Sequence, residues 1–341
     1  MSKKKERNPR LGCVGGQAVM EGVMMKSKTD IAIAVRRMTD GKVVVRTSKP
    51  RSLRDRYKFF RLPFIRGIVN FIETLIMSFS TLTASAEMSG LDEEEEPGKF
   101  EKWLDKHFGK SLMAFVSLIG TVLGVGLALV LFIWLPAFIT KLIDKYLFTV
   151  GNWYSLVEGV IKISVFVLYM YLVSLMKDIK RVFMYHGAEH KSIFCYEAGE
   201  ELTVENVKKQ KRFHPRCGTS FIFVILIISI LVGTLIPHTS TLLRVALKLL
   251  VLPIIVGIGF EFIMYAGKHD NVVTKIFSAP GLWMQRITTK EPDDSMMEVA
   301  IISIKCALRN EFPDFEIPYE PEKEENTADT EEKKEETNEN K

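Results

Sequence analysis

Four long apolar runs most restrict what this chain can fold into. They cover about residues 112–139, 160–176, 221–236 and 245–266. A helix needs roughly 20 predominantly apolar residues to cross a bilayer, and these runs reach or approach that length. The last run contains Lys248 near its start and Glu261 near its end. The sequence therefore predicts a mainly α, polytopic membrane protein with about four transmembrane helices.

Basic residues are divided unevenly among the segments between these runs. Segment 177–219 and the residues after the fourth run are rich in Lys and Arg, whereas the other two connections contain few. By the positive-inside rule, both chain ends and segment 177–219 are expected on the cytosolic side of an inner (cytoplasmic) cell membrane. The formal net charge of +5 is then attributed to cytosolic loops and anionic headgroups, so the predicted partners are membrane lipids and not nucleic acid.

The remaining regions differ in composition. Residues 31–47 alternate around the turn signal Asp40-Gly41, which predicts a small cytosolic β-hairpin. Residues 64–86 carry an apolar stripe at helical spacing, which fits either an interfacial amphipathic helix or a helix packed beneath the bundle. The predicted regions are a basic disordered tail (1–10), a glycine-rich, hairpin and interfacial-helix region (11–90), a charged linker (91–110), the membrane region with its cytosolic loop (111–267), a cytosolic C-terminal segment (268–317) and an acidic disordered tail (318–341).

Three local signals lie outside the apolar runs. The glycines around Gly15-Gly16 fit either an anion-binding nest or a turn-rich entry to a sheet. Pro280-Gly281 predicts a turn. Ser295 and Glu298 have the spacing of a capping box, which predicts a short amphipathic helix from there to about Leu308.

Candidate metal ligands cluster between the second and third runs. His186 and His190 are four residues apart, so they share one face of a helix and could chelate one ion. With Glu189 they give the order His-x-x-Glu-His, the reverse of a zinc-protease motif in which the glutamate is the general base. His214 and Cys217 follow, and both are ligand types that zinc prefers. The sequence thus predicts a site for zinc or another divalent ion at a membrane surface.

The number of ligands separates two hypotheses. If all four of these histidine and cysteine side chains bind, the tetrahedron is closed and the site is structural, whereas a catalytic site keeps one position for water. In a catalytic site the third ligand would be His214, Cys217 or a carboxylate such as Glu261, about two helical turns below the predicted cytosolic surface. Glu261 fits an ion pair with Arg216 equally well.

Positive charge beside the cluster suggests an anion site. Arg216 and Lys191 flank the candidate ligands, and the start of the third run would contribute its free N–H groups. Arg216 is therefore the predicted contact for an anionic substrate group. Ordinary cytosolic positive charge explains both side chains equally well.

Several separated motifs together carry a family resemblance. They are the segment from Gly15 to Lys26, Pro63-Phe-Ile-Arg66-Gly67, His186-Gly-Ala-Glu-His190-Lys191, His214-Pro-Arg-Cys217-Gly-Thr219, the segment from Ala279 to Thr289 and the run from Glu298. Over about Leu11 to Leu308 the chain resembles the YqhQ-like family of bacterial membrane proteins. The resemblance implies a predicted metal-dependent enzyme. Its implied candidate site residues are His186, Glu189, His190, His214, Cys217 and Glu261.

The leading hypothesis is a membrane-embedded zinc hydrolase that acts at the cytosolic face on a lipid headgroup or a membrane-bound peptide. His186 and His190 would hold the metal, Glu261 or His214 would complete the site, and Glu189 would activate water. The alternative is a non-catalytic membrane scaffold or regulator with a structural zinc. A transporter is least favoured, because no internal repeat is evident and only one intramembrane carboxylate was found.

Overall fold

A computed structural model describes residues 8–90, 119–236, 241–266 and 271–317. In these ranges the fold is mainly helical, as predicted, with one small antiparallel sheet. Most of the predicted basic tail, the linker 91–110, the start of the first predicted span and the acidic tail 318–341 lie outside the described residues.

The sheet is a meander of four strands near the start of the chain. The strands are β1 (Gly15–Val19), β2 (Gly22–Lys26), β3 (Ile31–Arg36) and β4 (Val43–Ser48), paired in the order β1-β2-β3-β4. β3 and β4 form the predicted hairpin, with Ile31 opposite Ser48 and Arg36 opposite Val43. The glycine-rich segment supplies β1 and β2, so of its two interpretations the sheet entry is confirmed.

The described helices vary from one turn to seven turns. They are α1 (Leu53–Arg56), α2 (Ile65–Ser89), α3 (Ile119–Tyr146), α4 (Tyr154–Val173), α5 (Lys177–Ala198), α6 (Val204–Lys209), α7 (Gly218–Gly233), α8 (Thr241–Ala266), α9 (Val272–Thr288) and α10 (Asp294–Ala307). A π-helical turn at Val130–Trp134 interrupts α3.

Both faces of the sheet are covered, because its side chains alternate between two cores. Val23, Met25 and Ala32 belong to a core shared with α5 and α10. Met24 and Ile33 belong to a second core shared with α2. The sheet is therefore packed between helices, which brings β1 beside α5.

Within the described ranges, four helices are long and apolar enough to cross a membrane, namely α2, α3, α4 and the part of α8 from Val245. Three of the predicted spans correspond to α3, α4 and α8. The third predicted span is α7, an apolar helix of 16 residues. At 1.5 Å per residue it covers about 24 Å, less than the roughly 30 Å hydrocarbon core of a bilayer. The set of helices fits a membrane protein.

α2 has features of both structures that its sequence allowed, an interfacial amphipathic helix and a helix packed against the bundle. Its last turns pack on the sheet, where Met38 N–H donates to the Ser89 carbonyl at 2.9 Å. Its first turn packs on α8, where a Cβ added to Gly67 would lie 2.8 Å from the Phe260 Cβ. An apolar stripe that includes Ile76 and Phe79 remains exposed. α2 thus joins the sheet to the long apolar helices and presents an apolar face outward.

Side-chain contacts connect the apolar helices to one another at both ends. At one end, the Ser155 hydroxyl of α4 donates to the Gly233 carbonyl of α7 at 2.8 Å, and Lys248 of α8 pairs with the buried Glu158 of α4. At the other end, the start of α7 and the end of α8 both pack against α2. Because α7 and α8 run in opposite directions, the start of α7 and the end of α8 lie at the same end of the helices.

Two local predictions in the C-terminal segment are wrong. Pro280 and Gly281 do not form a turn but lie inside α9, where Gly281 lets the helix approach α7 closely: a Cβ would lie 2.5 Å from the Ser220 Cα. The cap of α10 is Asp293, whose carboxylate accepts from the Met296 N–H, and not Ser295. Asp293 lies two residues earlier, where its carboxylate reaches the free N–H groups of the first turn.

α5 passes unusually close to the segment that follows α9. The Lys290 N–H donates to the Phe183 carbonyl at 2.8 Å, and a Cβ added to Gly187 would lie only 2.1 Å from the Lys290 carbonyl oxygen. Glycine at position 187 is therefore required by this approach and not by an unusual backbone angle. The contact fixes α5 against the end of α9.

We expect Gly187→Ala to destabilise the protein by about 1–3 kcal/mol, the usual cost of overpacking. Gly120→Ala in α3 is the matched control, because its added Cβ meets no atom within 4 Å and alanine favours a helix. Denaturant unfolding of both variants, followed by circular dichroism in detergent, measures the difference. Equal stabilities would mean that the segment around Lys290 yields without cost.

Candidate metal centre

Three side chains from two helices converge on one point. His186 and His190 lie one turn apart on α5 with ring centroids 4.4 Å apart, and Cys217 is the N-cap residue of α7. The His186 Nε2 lies 3.2 Å from the Cys217 Sγ. One ring nitrogen of each histidine and the sulfur all lie within 4.8 Å of one another. The arrangement presents two imidazoles and one thiol to a common centre.

Backbone carbonyls determine which nitrogen of each histidine faces that centre. The His186 Nδ1 lies 2.8 Å from the Thr288 carbonyl, and the His190 Nδ1 lies 2.5 Å from the Arg212 carbonyl. A carbonyl oxygen only accepts, so each Nδ1 carries the proton and each Nε2 keeps its lone pair. The His190 Nε2 is buried and has no hydrogen-bond partner among the described residues. This is the tautomer that metal-binding histidines adopt.

The protonation of these groups also suits a metal. Burial lowers the pKa of His190 below its ordinary value, which keeps the ring neutral at neutral pH. Burial raises the pKa of the Cys217 thiol, but the His190 ring in its protonated form and the hydroxyl and N–H of Thr219 outweigh burial, so the net pKa is lowered. A neutral imidazole and an easily formed thiolate are the forms in which these side chains bind zinc.

Glu189 lies beside the three candidate ligands, at the inner wall of the cavity that they line. Its side chain is buried, and its Oε2 has no hydrogen-bond partner in the described part of the chain. Burial raises its pKa to about 8, Cys217 contributes to the rise, and the electrostatic interaction with His186 and the Ala18 N–H lower it in part. The Glu189 Cγ would be 3.0 Å from a Cβ at Gly16, so the glycine leaves the space that this side chain fills. A carboxyl group is thus held next to the cluster without a saturating partner.

His214 is near the cluster but faces another group. Its ring lies 5.5 Å from the His190 ring, yet its Nε2 lies 3.7 Å from the Glu197 carboxylate and its Nδ1 accepts from the Arg216 N–H at 3.3 Å. The buried Gln285 of α9 holds the His214 backbone at both its N–H (2.7 Å) and its carbonyl (2.8 Å). His214 therefore belongs to the support of the site, and the described cluster of ligand atoms does not include it.

Three other predicted site residues are engaged elsewhere. Glu261 forms a two-pronged ion pair with Arg66 of α2, with one hydrogen bond of 2.7 Å. Arg216 pairs with Glu197 at 2.5 Å and not with Glu261, although it still lines the cavity. Lys191 is buried and pairs with Glu291. Ion pairing thus takes Glu261 out of the ligand set and neutralises much of the predicted anion cradle.

A cavity of about 850 Å³ opens onto the cluster. Its walls come from β1, from α2 and α5, and from the start of α7. The side chains of His186, Glu189 and Cys217 all line it. The volume lies in the range of small-molecule and peptide pockets. The cluster is therefore reachable and not sealed inside the core.

Sequence reasoning missed the residues that support the ligands. Glu197 is buried, accepts from the Gly12 N–H at 2.9 Å and pairs with Arg216. Gln285 lies in the motif from Ala279 to Thr289, but the sequence assigns it no role. Thr288 acts through its backbone carbonyl. The sequence can suggest a glutamate or glutamine near candidate ligands as a supporting residue. It cannot show which backbone carbonyl is used, because every residue has one.

The fold and the cluster define a mainly helical protein with several long apolar helices, a small sheet and a His/His/Cys group at their junction. Residues 62–310 match the family described as "Protein of unknown function (DUF1385)", and the chain belongs to this family. It is similar to the "Uncharacterized protein YqhQ" of Bacillus subtilis (strain 168), with 38% identity over 299 residues that cover 87% of this chain and 92% of that protein. The family resemblance is thereby confirmed. No solved structure matches the chain.

We expect Cys217 to react with iodoacetamide in chelator-treated protein and to be protected by added zinc, because its sulfur lines the cavity and faces two imidazole nitrogens. Cys195 and Cys306 are buried and serve as internal controls that react only after unfolding. Mass spectrometry of peptides quantifies each thiol. Equal alkylation of Cys217 with and without zinc would contradict the convergence of the three groups.

Proposed function

We propose that the protein is a membrane-embedded, zinc-dependent hydrolase. His186, His190 and Cys217 hold the metal, and Glu189 is the general base. Bound zinc would supply a Lewis acid and lower the pKa of its water toward about 7. The observation that carries the proposal is the buried His190 Nε2, which has no partner among the described residues and faces the Cys217 sulfur.

The donor set supports zinc over a hard cation. Two neutral imidazoles and a thiolate are borderline-to-soft ligands, which suit zinc and not Mg²⁺ or Ca²⁺. Hydrogen bonds from both Nδ1 groups to backbone carbonyls orient the rings, as in established metal sites. The Thr219 hydroxyl lies 3.4 Å from the sulfur and would stabilise the thiolate.

A three-ligand site supports catalysis over a purely structural role. A closed structural tetrahedron needs a fourth protein ligand, and His214 is directed toward Glu197. The fourth position would then be left for water. Glu189 is buried beside the ligands with an unpartnered oxygen, and a bound cation would lower its raised pKa toward the carboxylate form, which accepts a proton from that water.

The membrane setting is part of the proposal. The apolar helices would cross an inner (cytoplasmic) cell membrane, with the sheet, the metal site and both chain ends in the cytosol, as the distribution of Lys and Arg predicts. The cavity lies where α2, α7 and the sheet meet. A substrate held at a membrane surface would reach it there, either a lipid headgroup or a membrane-bound peptide.

We expect purified protein to contain about one equivalent of zinc, as a His/His/Cys site requires. His186→Ala and Cys217→Ala should abolish binding, whereas Glu261→Gln, which lies in the ion pair with Arg66, should retain it. Glu189→Gln should also retain the metal but lose hydrolytic activity. Plasma emission spectrometry of the variants, each checked for folding by circular dichroism, gives the answer.

His214→Ala decides between the two kinds of site. If His214 only supports the site, its removal should weaken zinc affinity by about 10- to 100-fold without abolishing binding, the usual effect of an outer partner. Competition with a chelator measures the affinity. Complete loss of zinc in His214→Ala, together with full cellular function of Glu189→Gln, would support a structural zinc in a scaffold and overturn the hydrolase.

A further inference from the structure

β1 is an edge strand whose outer side faces the cavity. Among the residues that the structure describes it pairs with β2 only, since the sheet order is β1-β2-β3-β4. An edge strand presents unpaired N–H and C=O groups that can take up another extended chain. Gly15, Gly16 and Ala18 all line the cavity, and both glycines are exposed.

The register identifies which backbone groups point outward. Ser27 N–H donates to Asp30 O at 2.8 Å and Arg36 N–H to Glu21 O at 2.9 Å, so the odd-numbered residues of β2 bond to β3. Hydrogen bonding alternates along an antiparallel strand. The even-numbered residues of β2 therefore bond to Gly15, Gln17 and Val19 of β1. The N–H and C=O groups of Gly16 and Ala18 must point away from the sheet.

Two contacts agree with this assignment. Met20, the next even-numbered residue, donates its N–H outward to the Ser85 hydroxyl at 3.2 Å. The Ala18 N–H lowers the pKa of the Glu189 carboxyl, and the Glu189 Cγ would lie 3.0 Å from a Cβ at Gly16, so Glu189 is beside this part of the edge. No hydrogen bond is found, within the ranges that the structure describes, for the outward N–H and C=O of Gly16 or for the Ala18 carbonyl. The open part of the edge thus begins beside Glu189 and runs along Gly16 toward Val14.

We propose that this edge binds an extended peptide as an additional antiparallel strand, which makes a peptide the substrate of the hydrolase proposed above. Peptide binding at the edge is independent of the proposed hydrolase function, and only the cleavage step rests on it. Paired N–H and C=O groups that repeat every two residues, about 6.6–7 Å, match a peptide backbone and not an acyl chain or a headgroup. Glycine at 15 and 16 leaves no side chain of its own to block the edge.

The position of Glu189 connects binding to cleavage. Glu189 lies between the open edge of β1, at Ala18, and the group formed by His186, His190 and Cys217. A peptide bond held there would be attacked at its carbonyl carbon by the oxygen of water, with Glu189 accepting a water proton. The C–N bond breaks and that proton passes to the leaving nitrogen, giving a carboxylic acid and an amine with no redox change.

The test uses the full-length protein in detergent and a peptide library made by proteolysis of bacterial membrane proteins. Zinc-loaded wild-type protein is incubated with the library, and new termini are identified by mass spectrometry. One cleaved sequence is then synthesised as a decapeptide, and each backbone nitrogen is methylated in turn. Binding of this set is measured on zinc-loaded Glu189→Gln, which separates binding from turnover.

Strand addition predicts an alternating result. Methylation at every second residue should weaken binding by about five- to tenfold for each lost hydrogen bond, and methylation at the residues between should have little effect. Hydrogen exchange of the Gly16 amide should slow when the peptide is bound. The amides of β4, the other edge of the sheet, are the matched control and should not change.

Several results would overturn strand addition. They are a flat methylation profile, an unprotected Gly16 amide, zinc-loaded protein that binds no library peptide, or release of headgroups from phosphatidylglycerol vesicles without peptide binding. The proposed function fails separately, if the wild-type protein binds no metal. In that case a library peptide retained by the immobilised wild-type protein replaces the cleaved sequence, and the Gly16 amide and the methylation profile still test the edge.

Discussion

Two hydrogen bonds from imidazole Nδ1 groups to backbone carbonyls are the interactions on which the site depends. They fix the tautomer of His186 and His190 and turn both Nε2 lone pairs toward Cys217. Without them either ring could rotate or change tautomer, and three potential ligands would not share a centre. The carbonyls belong to Thr288 and Arg212, which are far apart in sequence, so the geometry exists only when α5, α9 and the segment before α7 are packed together.

The close packing of these elements follows from small or buried polar residues. Gly187 lets α5 approach Lys290, which positions the end of α9 and its Thr288 carbonyl. Gln285 of α9 holds the backbone at His214, which positions the segment that contains Arg212 and Cys217. A buried amide with both hydrogen-bonding groups satisfied specifies one arrangement, because any shift would leave a polar group unpaired. The ligands are thus positioned by contacts made outside the ligand set.

The sequence could predict the features that depend on spacing along one element. The i, i+4 histidines, the β3–β4 hairpin and the long apolar helices all follow from periodicity, and all are present. It could not predict contacts between elements. The sequence left Glu261 open between a metal ligand and an ion pair with Arg216, because a carboxylate in an apolar run is costly. The structure has an ion pair, but its partner is Arg66, from a helix nearly 200 positions away in the chain. The glycine-rich segment predicted an entry to a sheet but not the bounds of β1, since glycine-rich strands lack the usual alternation of apolar side chains.

Glu197 is the residue that most sharply separates an open site from a closed one. Its buried carboxylate accepts from the Gly12 N–H, pairs with Arg216 and lies 3.7 Å from the His214 Nε2. The interactions lower its pKa although burial alone would raise it, so it is charged and attracts both neighbouring side chains. His214 was one candidate for the ligand that completes the metal site and Arg216 was the predicted anion contact, and one carboxylate engages both. Around the His/His/Cys group there remain Glu189, the cavity and the open edge of β1, and these are the features on which the two proposals rest.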